Sequence, residues 1–148
     1  MNKDNSNTYL NKDLINEIIS LIKNNNLELA QDKVESLLYK FPSSDTILNL
    51  KGIIYLKKKE YNIAQNSFLE ALIINPHFTS AKVNLGIVYQ NLGKNEEALN
   101  CFKEITKTDN TLPAVYNNMG FVLYTQNKYL EAIKELNKAI ELKKDYAE

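Results

Sequence analysis

Residues 79–112 read TSAKVNLGIVYQNLGKNEEALNCFKEITKTDNTL, and the pattern in this stretch recurs every 34 residues along the chain. Its first glycine, Gly86, has counterparts 34 residues away on either side, at Gly52 and Gly120. An alanine follows each glycine by twelve residues and a large apolar residue follows that alanine by four: Ala64, Ala98 and Ala132, then Phe68, Phe102 and Leu136. A fixed period of about 20–50 residues is typical of repeat arrays. The sequence therefore predicts an array of similar units over most of the chain.

The apolar residues in each half of the unit lie three or four positions apart, which places them on one face of a helix. Helix-start signals agree with this division. Ser43, Ser44 and Asp45 offer capping oxygens directly after Pro42. Pro113 opens the last unit, where a missing amide proton costs nothing. We expect no strand and eight helices, with ends placed to within about two residues: 12–24, 27–40, 45–58, 61–74, 79–92, 95–108, 113–126 and 129–143.

The units resemble the tetratricopeptide repeat (TPR) family, whose 34-residue repeat folds as helix, turn, helix. The third unit carries the residues of this resemblance: Leu85, Gly86, Tyr89, Ala98 and Phe102. The resemblance implies an all-α fold, an α-solenoid whose helix-turn-helix repeats form a right-handed superhelix. We place consecutive repeats at 11–44, 45–78, 79–112 and 113–146, in one domain of residues 11–148. The first repeat is degenerate, with Ile18 in place of glycine, and residues 1–10 are expected to form a flexible tail.

Composition argues against nucleic-acid and membrane partners. The 18 basic and 18 acidic residues cancel, so no basic face is expected. The one basic run, Lys57-Lys58-Lys59, lies in a predicted turn and is interpreted as a solvated cluster. No apolar run approaches a membrane span, and residues 1–8 do not resemble a signal peptide. A single cysteine is typical of a reducing compartment, so we expect a cytoplasmic protein.

The inventory of reactive side chains argues against an enzyme. The single histidine, His77, falls in a predicted turn with no nucleophile beside it. Cys101 occupies a place expected on the solvated convex side of a second helix, and we interpret it as a passive thiol. Clustered metal ligands and converging carboxylates are both missing from the pattern. We therefore expect no catalytic residue, metal site or cofactor.

The resemblance assigns a binding role to the concave surface, which the first helix of each repeat lines. It implies that these groove positions contact the ligand: Asn16, Ile19, Asn49, Ile53, Leu56, Val83, Asn84, Ile87, Gln90, Asn117, Asn118, Phe121 and Tyr124. They form a row of amides, which can pair with any peptide backbone, beside a row of large apolar groups. The plainer alternative is that asparagine is abundant in this chain. Ile or Phe at the ninth place of every repeat, and the lack of arginine, argue against a clamp for the acidic tails of chaperones.

Two functions follow from this interpretation. In the first, the chain is a protein–protein interaction scaffold that binds an extended peptide or an amphipathic helix of a partner in the groove. In the alternative, it is the amino-terminal recognition arm of a longer enzyme, such as a TPR-bearing glycosyltransferase. We also expect Ile133, Leu136 and Ile140 of the last helix to lack a covering helix, and hence expect self-association there as a two-fold dimer.

Overall fold

The computed structural model describes residues 12–145, and these residues form eight α-helices and no strand. Every predicted helix is confirmed, and the ends agree to within two residues. The flexible tail predicted for residues 1–10 lies outside the described residues. Along the chain the helices are α1 (Lys12–Lys23), α2 (Leu27–Lys40), α3 (Asp45–Lys57), α4 (Tyr61–Ile74), α5 (Thr79–Asn91), α6 (Asn95–Thr108), α7 (Pro113–Thr125) and α8 (Tyr129–Asp145).

Local capping explains several helix ends. The Ser44 hydroxyl accepts a hydrogen bond from the Ile47 backbone N–H at 3.3 Å, which caps α3 as the sequence predicts. Pro113 occupies the first turn of α7, where its ring fits the helix. None of the eight helices combines the length and apolar composition needed to cross a bilayer.

The turn inside each repeat uses one left-handed residue, and the four are spaced by 34: Asn25, Lys59, Gly93 and Asn127, with φ between 61° and 72°. In the third repeat the Lys94 N–H reaches back to the Tyr89 carbonyl at 2.9 Å, and the Gly93 N–H bonds the Gln90 carbonyl at 3.1 Å. This is the Schellman arrangement, which ends a helix by satisfying its last carbonyls. The same pair of bonds recurs in the other repeats, so every repeat bends back in the same way.

The repeated glycines mark the places where the two helices of a repeat touch. A Cβ added to Gly86 would lie 2.5 Å from Cε1 of Phe102, and one added to Gly52 would clash with Phe68. The side chain of Leu136 takes the same place against Gly120. Both phenylalanines are fully buried. The spacing of glycine and aromatic residue therefore encodes a ring packed directly on a helix backbone, as expected for close-packed interiors.

The buried side chains form three clusters that follow one another along the array. The first cluster contains Val34, the second contains Phe68 and the third contains Phe102. Each cluster draws residues from more than one repeat, so the core continues from one helix pair to the next.

The odd-numbered helices lie on the inside of the array. Helix α3 contacts α1 and α5, and α5 contacts α7. No contact joins consecutive even-numbered helices within residues 12–145. Elements that touch on one side and separate on the other curve toward the touching side. The surface formed by the exposed sides of α1, α3, α5 and α7 is called the inner face below.

Candidate functional site

All thirteen predicted groove residues lie on the odd-numbered helices, but their exposure differs. On α1 and α7, Asn16, Asn117, Phe121 and Tyr124 are exposed. Asn49 on α3 is buried, with 6% of its surface exposed. The remaining eight are half-buried: Ile19, Ile53, Leu56, Val83, Asn84, Ile87, Gln90 and Asn118. Access to the inner face is therefore greatest at the two ends of the array.

The amide row includes one bonded pair. The Asn84 Nδ2 donates to Asn49 Oδ1 at 3.2 Å, which joins the second repeat to the third. The expectation that these amides face solvent in the free protein is wrong for Asn49, because α5 covers it. Asn49 contributes to the site by orienting Asn84, while Asn117 and Asn118 carry the row onto α7. The carbonyl oxygen of Gln90 is buried without a hydrogen-bond partner in the part of the chain that the structure describes.

The apolar row is largely part of the core. Ile19 packs on the first core cluster, Ile53 on the first and second, and Ile87 on the third. The idea that these residues would be exposed without a ligand is therefore wrong, since neighbouring helices cover half of each. Phe121 and Tyr124 differ, with 51% and 60% of their surfaces exposed. The free apolar surface of the inner face thus lies in the fourth repeat.

The tyrosine of this apolar surface is held by the start of α8. The rings of Tyr124 and Tyr129 have centroids 5.6 Å apart and are inclined by 58°, a favourable tilted arrangement. The Tyr129 hydroxyl donates to Asn127 Oδ1 at 2.6 Å, which fixes the second ring against the left-handed turn. Phe121 lies one turn before Tyr124 on the same face of α7. Two large rings are therefore presented side by side, with one of them braced from behind.

The candidate reactive groups among residues 12–145 give no catalytic arrangement. Cys101 is half-buried and packs on the second core cluster, so its predicted position on a solvated side is wrong. Burial raises the pKa of its thiol to about 11, which leaves it protonated and unreactive at neutral pH. Ser67, at the equivalent place in α4, is buried and donates to the Ile63 carbonyl. His77 is exposed. The described residues hold no group of three or more His, Cys, Asp or Glu side chains placed to bind a metal ion.

Sequence reasoning missed a set of polar bridges between repeats. Lys58, in the turn of the second repeat, donates from Nζ to Glu28 Oε1 at 2.9 Å and to Gln31 Oε1 at 2.8 Å on α2. Its ammonium also lies 5.9 Å from the centre of the Tyr55 ring. The hydrogen bond to Glu28 raises the pKa of Lys58. The interpretation of Lys57-Lys58-Lys59 as a merely solvated cluster is therefore wrong for its middle residue.

Equivalent bridges join the later repeats. Lys94 reaches Gln65 Oε1 at 3.5 Å, and Gln126 Nε2 donates to Glu96 Oε1 at 2.9 Å. The bond from Gln126 lowers the pKa of Glu96. Glu28 and Glu96 stand two periods apart, and this spacing was the signal in the sequence. In α8 the same place is Leu130, which has no polar group to offer a following turn.

An apolar surface remains open on α8, and is called the end patch: Leu130, Ile133 and Ile140, with 86%, 54% and 52% of their surfaces exposed. Leu136 is half-buried because it turns toward Gly120. The exposure predicted for the last helix is thus observed for Ile133 and Ile140 and only partly for Leu136. In α6, Leu99 stands 34 residues before Ile133 and is 3% exposed, because α7 covers it.

Comparisons with known proteins agree with this architecture. The sequence matches the tetratricopeptide repeat family over residues 46–78, 79–111 and 113–146. It is 27% identical over 126 residues to the anaphase-promoting complex subunit CDC16 of Saccharomyces cerevisiae, which covers 80% of this chain and 15% of that protein. The small glutamine-rich tetratricopeptide repeat-containing protein 2 of Mycosarcoma maydis is 23% identical over 95 residues, covering 64% and 27%. The chain therefore spans only a minor part of the length of these relatives.

Solved structures show the same fold. A crystal structure of MamA superposes with a TM-score of 0.81 at 18% identity and covers 97% of this chain and 82% of that one. MamA of Desulfovibrio magneticus RS-1, from residue 41 to its end, gives a TM-score of 0.80 at 20% identity, with coverage of 89% and 75%. At such low identity the likeness concerns the arrangement of helices alone.

Proposed function

Because the chain belongs to the tetratricopeptide repeat family, we propose that it is a non-catalytic, cytoplasmic protein-interaction scaffold whose inner face binds a segment of another protein. The observation that carries the proposal is the exposure of Phe121 and Tyr124 beside the amides of Asn117 and Asn118. Large apolar side chains left open next to groups that both donate and accept hydrogen bonds are typical of a peptide-binding surface. The two named relatives are a subunit of a complex and a TPR-containing protein, which is consistent with a scaffold.

The energetics favour the fourth repeat as the anchor of the bound segment. Interface residues that dominate affinity are mostly aromatic side chains or arginine at the centre of a contact. Phe121 and Tyr124 are the two groove residues of this kind with more than half of their surface free. Burying the remaining surface of such a ring contributes favourable free energy, at about 25 cal/mol per Å². The half-buried isoleucines of the earlier repeats have less surface left to contribute.

Site-specific photocrosslinking tests the inner face whatever the identity of the ligand. Benzoylphenylalanine in place of Phe121 should crosslink to a peptide of another protein when the full chain is irradiated in its native cells. The matched control places the same group at Tyr39, which is 92% exposed on α2, outside the inner face. Adducts formed only from position 121 are expected. Adducts at position 39 alone, or equally at both, would place the interaction surface on the even-numbered helices and refute the proposal.

The expectation that the array is the recognition arm of a longer enzyme uses the same groove. It differs only in what is joined to the repeats, since the ligand of the inner face would then be a segment of the enzyme's protein substrate. The photocrosslinking experiment separates the two: adducts that are processed by the same polypeptide belong to an enzyme, and stable adducts belong to a scaffold.

The end patch supports a second proposed interaction, the pairing of two copies of this chain. Leu130, Ile133 and Ile140 continue at the three- and four-residue spacings of helices that pair along a seam. A following repeat is not the occupant that this surface fits best, because Leu130 replaces the carboxylate that accepts such a bridge in α2 and α6. Two-fold pairing brings the same patch onto itself and needs no other complementary surface.

Light scattering over increasing protein concentration tests this pairing. The mean mass should rise from one chain toward two, and Ile140→Lys should abolish the rise by placing a charge in the patch. Lys134→Ala, which removes a neighbouring exposed side chain on the same helix, serves as the control. A constant mass of one chain in the unmodified protein would refute pairing and leave the inner face unaffected.

A further inference from the structure

Charge is distributed unequally between the inner and outer helices of the last two repeats. Helix α7 contains no charged residue, and α5 contains only Lys82. The outer helices of the same repeats carry five charged residues in α6 and eight in α8. Charged residues make up 24% of the whole chain. A neutral inner surface next to strongly charged outer helices is therefore a specific feature of repeats three and four.

The single charge on α5 does not reach the inner face. Lys82 Nζ lies 2.9 Å from Glu104 Oε2 on α6, so this ammonium is turned toward the outer layer and is paired there. Of the predicted groove residues, those on α5 and α7 are all uncharged: Val83, Asn84, Ile87, Gln90, Asn117, Asn118, Phe121 and Tyr124. A ligand placed against them meets amide groups, aliphatic carbons and two aromatic rings.

Such a surface penalises a charged ligand. An ionised side chain loses its hydration when it is buried, and this cost is recovered only if an opposite charge or several hydrogen bonds replace the water. The inner side of α5 and α7 offers no opposite charge. Phe121 and Tyr124, in contrast, reward a large apolar or aromatic side chain, which contacts both rings without a desolvation cost.

The amides favour an extended backbone over a helix. A ligand helix already bonds its own N–H and C=O groups, so the amides of Asn84, Asn117 and Asn118 would gain little from it. An extended segment has both groups free and can pair with each amide in turn. The buried Gln90 carbonyl, which lacks a donor among the described residues, would gain one from a backbone N–H if the side chain turns outward.

We infer that the inner face of repeats three and four selects an extended, uncharged segment of a partner protein that carries at least one large apolar or aromatic side chain. This inference rests on the proposed function and specifies the chemistry of its ligand. Because no ion pair is involved, affinity for this segment depends little on ionic strength, unlike that of a charge-based groove.

A random peptide library panned on the full-length chain tests the inference. The same library is panned on the double variant Phe121→Ala, Tyr124→Ala and on the control Tyr39→Ala, with circular dichroism to verify helicity. Peptides retained by the unmodified chain and by the control, but lost by the double variant, bind the inner face. We expect these peptides to be depleted in Asp, Glu, Lys and Arg and enriched in large apolar residues.

Two measurements on the best such peptide sharpen the result. Replacing its central apolar residue by Glu should weaken binding by about tenfold or more, and raising the salt concentration about tenfold should change the Kd by less than about twofold. Proline substituted within the peptide should be tolerated at most positions, because an extended ligand has no helix to break.

The outcomes distinguish the inference from the function on which it rests. Inner-face peptides that are rich in one charge, and that weaken strongly with salt, would overturn the inference and leave peptide binding by the groove intact. Loss of binding on proline substitution throughout the peptide would overturn the extended conformation. A library that yields no peptide dependent on Phe121 and Tyr124 would refute the groove function and the inference together.

Discussion

Helices α6 and α8 are equivalent second helices of consecutive repeats, yet one is covered and the other is not. Leu99 of α6 is 3% exposed, whereas Ile133, one period later in α8, is 54% exposed. The difference does not come from the residues themselves, which are both aliphatic and of similar size. It comes from α7, which packs on α6 and on the inner side of α8 but leaves the outer side of α8 open. Burial in a repeat array is therefore a property of the following neighbour.

The largest expected effect separates the two aliphatic positions. Leu99→Ala should lower the free energy of unfolding by about 2–5 kcal/mol, because it removes buried carbon and leaves a cavity. Ile133→Ala should cost less than about 1 kcal/mol, since half of its surface is already in water. Urea denaturation followed by circular dichroism measures both. Equal losses would contradict the comparison and indicate that Ile133 is covered in solution; repeating the melts at higher dilution would show whether a second copy covers it.

A smaller difference is expected at the two glycines that face α6 and α8. Gly86→Val should destabilise the protein by about 1–3 kcal/mol, because the ring of Phe102 is fully buried and has no space to move. The gain in helix propensity, less than about 1 kcal/mol, does not offset this. Gly120→Val should cost less, since Leu136 is half-exposed and can shift outward. An unchanged denaturation midpoint for Gly86→Val would mean that the helices are not in close contact there.

The smallest effect is expected at the turns that precede these helices, and there it should be the same in both. Gly93 and Asn127 both have left-handed backbones, with φ of 72° and 61°. Gly93→Ala and Asn127→Ala should each cost about 1 kcal/mol or less, because strain from a Cβ in this conformation is local. Thermal melts of both variants measure this. A cost at Gly93 that greatly exceeds the cost at Asn127 would show that covering by α7 also restrains the turn.

The comparison also shows which features the sequence predicts well. All eight helices follow from apolar spacing together with glycine, proline and capping residues, which act within one repeat. The contact of Gly86 with Phe102 is likewise encoded inside a single 34-residue unit. The exposure of Ile133 could be predicted because the pattern of repeats ends at α8 in this chain. These features need only neighbours that are close in sequence.

The predictions that were wrong all concern contacts between repeats. Asn49 is buried because α5 covers it, and Lys58 is bonded because α2 offers Glu28 and Gln31. The environment of Cys101 also depends on a neighbouring repeat, since the cluster that it joins includes residues of α3 and α4. Position within the 34-residue unit is the same for covered and uncovered members of a row, so periodicity cannot distinguish them.

The sequence by itself determined the helices, the turns and the close contacts of glycine with an aromatic or aliphatic side chain, because these depend on spacing within a helix pair. Only the tertiary structure decided which groove residues remain available to a partner. Ile19, Ile53 and Ile87 share their repeat position with Phe121, but adjacent helices cover half of each isoleucine. Phe121 retains 51% of its surface because no further inner helix lies beside α7 among residues 12–145. Burial depends on distances between elements far apart in sequence, and these exist only once the repeats have stacked.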